Sequence, residues 1–170
     1  AQLCNLADEI AYNSHDIDDG LRSGLLELDG LCELGLFARF HREVVTEFPE
    51  LAGRRLVFEV TRRMLSTQIH DVIATTRQSL AAHVPASPEQ VRSLPVLVCF
   101  GASMAAEVTE VKRFLGQRLY RHPRVLQTTD QAREVVATLF KAYVDDPSRL
   151  PAGAGSDRPS ARTIADYLAG

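Results

Sequence analysis

Apolar residues recur at three- and four-residue spacing in nearly every periodic segment of the chain, the helical period rather than strand alternation, so the pattern predicts an all-α protein. Residues 3–13 and 15–28 read as one acidic helical stretch, with Asn13-Ser14 the point for a kink and Asp29-Gly30 the turn that follows. A second helix is expected from Phe37 to Phe48, where Pro49 disfavours helical geometry in the residue before it. A long amphipathic helix should run from about Gly53 to about His83, with the stripe Val57, Val60, Met64, Leu65, Ile69, Val72, Ile73 and Leu80. Ser87-Pro88-Glu89-Gln90 combines a cap, a proline at the first helical position and a glutamine three residues on, so a short helix begins there and stops before Pro95. The run Pro95 to Phe100 has no partner strand and reads as a buried connection into a helix that starts after Ser103 and ends near Tyr120. Asp130 is expected to cap a helix reaching Val144, which Asp145-Asp146-Pro147 terminates. A Pro/Gly/Ser-rich loop, Leu150 to Pro159, precedes a last helix from Ser160.

A chain of 170 residues is long enough for one domain with a proper core, and length gives no reason to divide it. The 22 acidic against 19 basic residues leave a net charge of −3, so no global basic field draws the protein to nucleic acid or anionic lipid. Cys4, Cys32 and Cys99 are odd in number, far apart and form no CxxC pair, which suits a reduced, cytoplasmic protein. No run approaches the roughly 20 apolar residues of a transmembrane helix, so a soluble protein with no membrane partner is expected. The N-terminus Ala1-Gln2-Leu3-Cys4 has no signal-like features and runs straight into a helical pattern, as a chain cut within an element would.

The candidate chemistry lies in the first helix. At about 100° per residue, Asp8, Tyr12, His15, Asp16 and Asp19 fall in a sector of roughly 100°, and Asp8 and Asp16 stand about 12 Å apart along the axis with an aromatic ring between them. Such a stripe suits a ligand with two distinct ends: a carboxylate can complete a His-rich shell around a divalent cation, while a phenol and a second carboxylate pack on a ring and accept hydroxyl hydrogen bonds. The same residues also suit a plain solvated face, since early acidic side chains meet the positive end of the helix dipole. Asp16-Ile17-Asp18-Asp19-Gly20 is no calcium loop, because setting Gly20 at the sixth position puts His15 and Ile17 at the first and third. On the long helix, Arg54, Arg55, Arg62, Arg63 and Arg77 suit either solvation and salt bridges or approach to an anion.

The run Leu6-Ala7-Asp8-Glu9-Ile10-Ala11-Tyr12-Asn13-Ser14-His15-Asp16-Ile17-Asp18-Asp19-Gly20-Leu21 resembles the signature of deoxyguanosine triphosphate triphosphohydrolase-like proteins of the HD superfamily. The Arg-rich helix Arg54 to Leu80, Phe114-Leu115 to Tyr120-Arg121-His122-Pro123, Leu139-Phe140 to Asp146-Pro147, and Thr163-Ile164-Ala165-Asp166-Tyr167-Leu168-Ala169-Gly170 resemble the same family, so the likeness covers essentially the whole chain. It implies an HD-superfamily helical bundle fragment with its C-terminal helical associated region, residues 1–29 ending the catalytic core and 30–170 following as part of one helical unit. It further implies hydrolysis of a deoxynucleoside triphosphate to deoxynucleoside and inorganic triphosphate with a divalent cation, manganese, magnesium or iron. In the family an H...HD...D set holds the cation, its last Asp matching Asp8. The aromatic four residues on packs on the deoxyribose and the carboxylate eight on meets the sugar hydroxyl, matching Tyr12 and Asp16.

The family's first His and HD pair precede this helix, so Asp8 is the one ligand of the set expected here. His15-Asp16 and His70-Asp71 lie downstream, in the wrong order. The resemblance therefore implies part of an enzyme, inactive alone, that acts as a homo-oligomer. Two other outcomes stay open: a helical scaffold for oligomerisation and effector binding, and an HD phosphohydrolase acting on another phosphoester.

Overall fold

The computed structural model describes residues 2–150 and 160–170. Among them there is no strand, and the all-α expectation is met: α1 (Gln2–Arg22), α2 (Leu28–Leu31), α3 (Gly35–Glu47), α4 (Gly53–His83), α5 (Pro88–Ser93), α6 (Ala102–Arg118), α7 (Pro123–Asp145) and α8 (Ala161–Ala169), with a 3-10 turn at Pro147–Arg149. Backbone packing divides the chain into two compact units, Ala1–Arg121 and His122–Gly170. Of the expected Leu150–Pro159 loop, residues 151–159 lie outside the described residues.

In the first unit, α3 and α1 pack on α4, and α6 packs on α1 and α3. The core holds Ile17 from α1, Leu31, Leu36, Phe37 and Val44 from the following helices, Val60 and Met64 from α4, and Val108 and Leu115 from α6. Fully burying side chains of this size contributes roughly 1.5–3 kcal/mol each, which makes this set the main source of the unit's cohesion.

Three boundaries depart from expectation. The acidic helix stops at Arg22, not near residue 28, because Gly24 takes the left-handed conformation at φ 67°. Leu25 N then donates to Gly20 O (2.9 Å) and Gly24 N to Leu21 O (3.2 Å), the paired bonds of a Schellman stop. Asp29-Gly30, expected as a turn, lies inside α2. The helix expected from Asp130 begins at Pro123, where proline occupies the first turn and the His122 ring accepts from Arg124 N at 3.3 Å. Asp130 is an exposed residue within it, beside Arg133 at 3.3 Å.

The apolar stripe of α4 is buried over Val57, Val60, Met64 and Val72, with Leu56 and Gln68 beside it. Ile69, Ile73 and Leu80, expected in the same stripe, are exposed. Leu65, Ile69 and Ile73 border an apolar groove of about 380 Å³ with Leu3, Leu6 and Ile10 of α1.

The 95–100 connection is held at both ends. Gln2 Oε1 accepts from Leu97 N (3.1 Å) and Val98 N (3.2 Å), and Leu97 is buried although Val96 is exposed. Asp71 Oδ2 accepts from Gly101 N at 2.7 Å, so a carboxylate on α4 caps the start of α6. The second unit consists of α7, the 3-10 turn and α8, with Tyr143 and Tyr167 meeting edge to face at 5.8 Å between ring centroids.

Candidate functional site

The site stands on α1, and the helix's own division of faces creates it. Ile10, Asn13, Ser14, Ile17 and Gly20 are buried, and this fixes the helix's rotation about its axis. The residues between them are turned outward: Asp8, His15 and Asp19 are exposed, Tyr12 is 67% exposed, and Asp16 is half-buried. The stripe expected from spacing is thus presented on one accessible face. Ser14, on the buried face, satisfies its hydroxyl within the helix by donating to Ile10 O at 3.0 Å.

Along the stripe the residues separate by environment. Asp8 forms no ion pair among the described residues, whereas Glu9 beside it pairs with Lys112 of α6 at 3.0 Å and ties the two helices together. Asp18 and Asp19 lie 3.9 and 3.5 Å from Arg22, exposed pairs of small energetic weight. Asp16 is different, since its Oδ2 accepts the phenol O–H of Tyr120, a residue just past the end of α6. Partial burial, the hydrogen bond to Asp16 and the charge of Asp16 together push the Tyr120 phenol well above the ordinary tyrosine value. Tyr12 adds a smaller push in the same direction. Tyr120 was not among the residues singled out for chemistry; 104 positions separate it from Asp16 and no periodicity links them.

The remaining candidates resolve into structural roles. His70 has Nδ1 2.8 Å from Ser66 O, and Asp71 caps α6, so the His70-Asp71 dipeptide serves packing and hydrogen bonding. His83 Nδ1 lies 2.9 Å from Ser79 O, His41 stacks on Phe37 at 6.2 Å, and His122 caps α7. Among the described residues no group of three His, Cys, Asp or Glu side chains comes together to hold a metal. Asp8 supplies one carboxylate, and the residues present do not by themselves fit a cation site.

The arginines of α4 divide. Arg62 binds Glu59 through two contacts of 2.7 and 2.8 Å, and Arg63 reaches Glu59 at 2.8 Å and Glu47 at 2.7 Å. These bonds, from Arg62 first and then Arg63, lower the Glu59 carboxyl to about 2. Arg54, Arg55 and Arg77 form no ion pair among the described residues. Arg54 and Arg55 line a surface concavity of about 840 Å³ with Phe48, Leu51, Phe58 and Arg62.

Residues 98–170 match the family model described as the phosphohydrolase-associated domain. Over the whole chain there are relatives named deoxyguanosinetriphosphate triphosphohydrolase-like protein: one from Bordetella pertussis, 48% identical, one from Ralstonia pickettii, 45% identical, and one from Nitrosomonas europaea, 41% identical. Each match takes in 100% of this chain and 45, 45 and 46% of the relative. No helix among the described residues is long and apolar enough to cross a membrane. The chain is thus a relative, over its whole length, of the deoxyguanosinetriphosphate triphosphohydrolase-like proteins, and it spans a little under half the length of those it matches.

Proposed function

We propose that this chain is part of a metal-dependent hydrolase that cleaves a deoxynucleoside triphosphate to the deoxynucleoside and inorganic triphosphate. The observation that carries this is the outward presentation of Asp8, Tyr12 and Asp16 on one face of α1, while the residues between them on the opposite face are buried. Their order along the axis runs from a carboxylate suited to a cation, through an aromatic ring, to a carboxylate suited to a hydroxyl. The names of the relatives support the same substrate class.

In this reading Asp8 is one ligand of a divalent cation, manganese, magnesium or iron, whose other donors belong to the rest of a longer protein. When bound, such a cation polarises a phosphoryl oxygen and lowers the pKa of bound water. Tyr12 packs on the deoxyribose and Asp16 accepts its hydroxyl. A cytoplasmic site and a homo-oligomeric state belong to the proposal, and the three free cysteines are in keeping with a reducing compartment.

The test uses the longer protein that contains this chain. Asp8→Ala is expected to abolish both turnover and cation binding, and Tyr12→Ala to weaken nucleotide binding while cation binding stays intact. Residues 1–170 alone should release no triphosphate from any deoxynucleoside triphosphate. Near-normal turnover in Asp8→Ala would instead favour a scaffold that binds effectors or other subunits, for which the Arg54, Arg55 and Phe58 concavity is the specific observation.

A further inference from the structure

We propose that Tyr120 is the positioning residue that aims Asp16 at the sugar hydroxyl, a role that rests on the reading of Asp16 as a deoxyribose contact. Three observations carry it. Asp16 has one side-chain hydrogen-bond partner among the described residues, the Tyr120 phenol, and no ion pair. A carboxylate accepts through two oxygens. With Oδ2 occupied by Tyr120, Oδ1 is the oxygen left for an incoming hydroxyl.

The second observation is that Tyr120 is itself fixed. Leu119 N and Tyr120 N both donate to Leu115 O, at 2.9 and 3.0 Å, and Leu115 and Leu119 are buried in the core. The phenol is therefore mounted on the packed end of α6, not on a free loop. The third is that Tyr120 is 44% exposed and Tyr12, one turn before Asp16 on the same face of α1, is 67% exposed, so the Asp16–Tyr120 pair stands beside an accessible ring. With its acidity suppressed, the Tyr120 hydroxyl keeps its proton at neutral pH and remains a donor.

The chemistry of the substrate sharpens the consequence. A deoxynucleoside with its 5′ oxygen esterified has a single free hydroxyl on the ring, at the 3′ carbon. An Asp16 held in one orientation would read that hydroxyl, and a loosened one would read it poorly. Removing the phenol's hydrogen bond while the carboxylate stays in place should therefore weaken recognition of that hydroxyl by about tenfold, or about 1.4 kcal/mol.

The experiment compares Tyr120→Phe and Asp16→Asn with the unmodified longer protein, assayed with each of the four deoxynucleoside triphosphates and their 2′,3′-dideoxy analogues. Tyr120→Phe keeps the ring and its packing. It is expected to raise KM for the deoxynucleoside triphosphate by about tenfold, with kcat nearly unchanged and KM for the dideoxy analogue unmoved. Asp16→Asn should remove the preference for the 3′-hydroxyl altogether. If Asp16→Asn does so while Tyr120→Phe keeps the unmodified KM, the positioning role of Tyr120 is overturned and the reading of Asp16 stands. If Asp16→Asn retains the full preference, Asp16 is not the hydroxyl contact and both fall. A parallel rise in KM for both substrate types in Tyr120→Phe, with a lowered melting temperature, would mark a merely structural tyrosine and also overturn the proposal.

Discussion

Glu59 sits where three charged side chains of α4 converge, and its environment has a readable pH signature. Hydrogen bonds from Arg62 and Arg63 lower its carboxyl from 4.5 to about 2, which means the folded state favours the ionised form. A depressed carboxylate contributes stability that is fully present above its ordinary value and is lost as pH falls from 4.5 toward 2. We therefore expect the thermal midpoint to decline through that window and the Glu59→Gln variant to decline less steeply there. The pair is solvent-screened, so at neutral pH the substitution should cost under about 1 kcal/mol. Melting curves of both proteins across that window test this, and identical slopes would remove Glu59 from the account. The same network shows what was and was not legible in the arginines: Arg62 and Arg63 meet Glu59 at i,i+3 and i,i+4 spacing within α4, whereas Arg63 finds Glu47, 16 positions away, only once α3 and α4 are packed. Tyr120 was hidden for the same reason. The shared face of Asp8, Tyr12 and Asp16 needed only the helical period, while their roles came from the family resemblance.

A single glycine decides how the last turn of α1 packs. Gly20 lies in its last turn, and a Cβ built there would come within 2.4 Å of Leu26 Cδ1 and 2.6 Å of Leu26 Cγ. Leu26 is 5% exposed and belongs to the core, so it has little room to give way. In an unconstrained helix Gly→Ala gains about 1 kcal/mol. Here overpacking should reverse the sign, and Gly20→Ala is expected to destabilise the chain by about 1–3 kcal/mol. Urea unfolding measures it; a stabilised variant would mean that Leu26 does not fold back onto α1. That return was not legible in the pattern, because acidic and apolar residues continue at helical spacing past Gly24 and only its left-handed backbone stops the helix. The start of α7 was obscured by the opposite error, since Asp130 has the chemistry of a cap but stands mid-helix, and the stronger signal was Pro123 after His122. By contrast α4 runs from Gly53 to His83 as its periodicity and flanking breakers indicated.

At the scale of the whole molecule, the two units differ in how much they bury. The first closes a core around Phe37, Leu31, Val60 and Leu115, all nearly inaccessible to solvent. The second is built on α7, a 23-residue helix in which no residue is buried and Leu126, Val135, Val136, Leu139 and Val144 are exposed. Length and composition could not reveal this, because both units carry the same helical period; what separates them is whether an apolar stripe meets a partner. Local stability follows buried apolar contact, and helices whose backbone bonds are open to water exchange their amides through small fluctuations. The central amides of α4, over Val60 to Val72, and of α6, over Val108 to Leu115, should therefore exchange only through opening of the first unit. Those of α7 from Thr128 to Leu139 should exchange at least about tenfold faster, since each 1.4 kcal/mol of missing protection is a factor of ten. Hydrogen–deuterium exchange on the 170-residue chain reads both regions at once. Equal protection of α7 and α4 would mean that the exposed leucines and valines of α7 are covered in solution, most simply by a second copy of the chain, and a concentration series would then separate that case from a helix stable by itself.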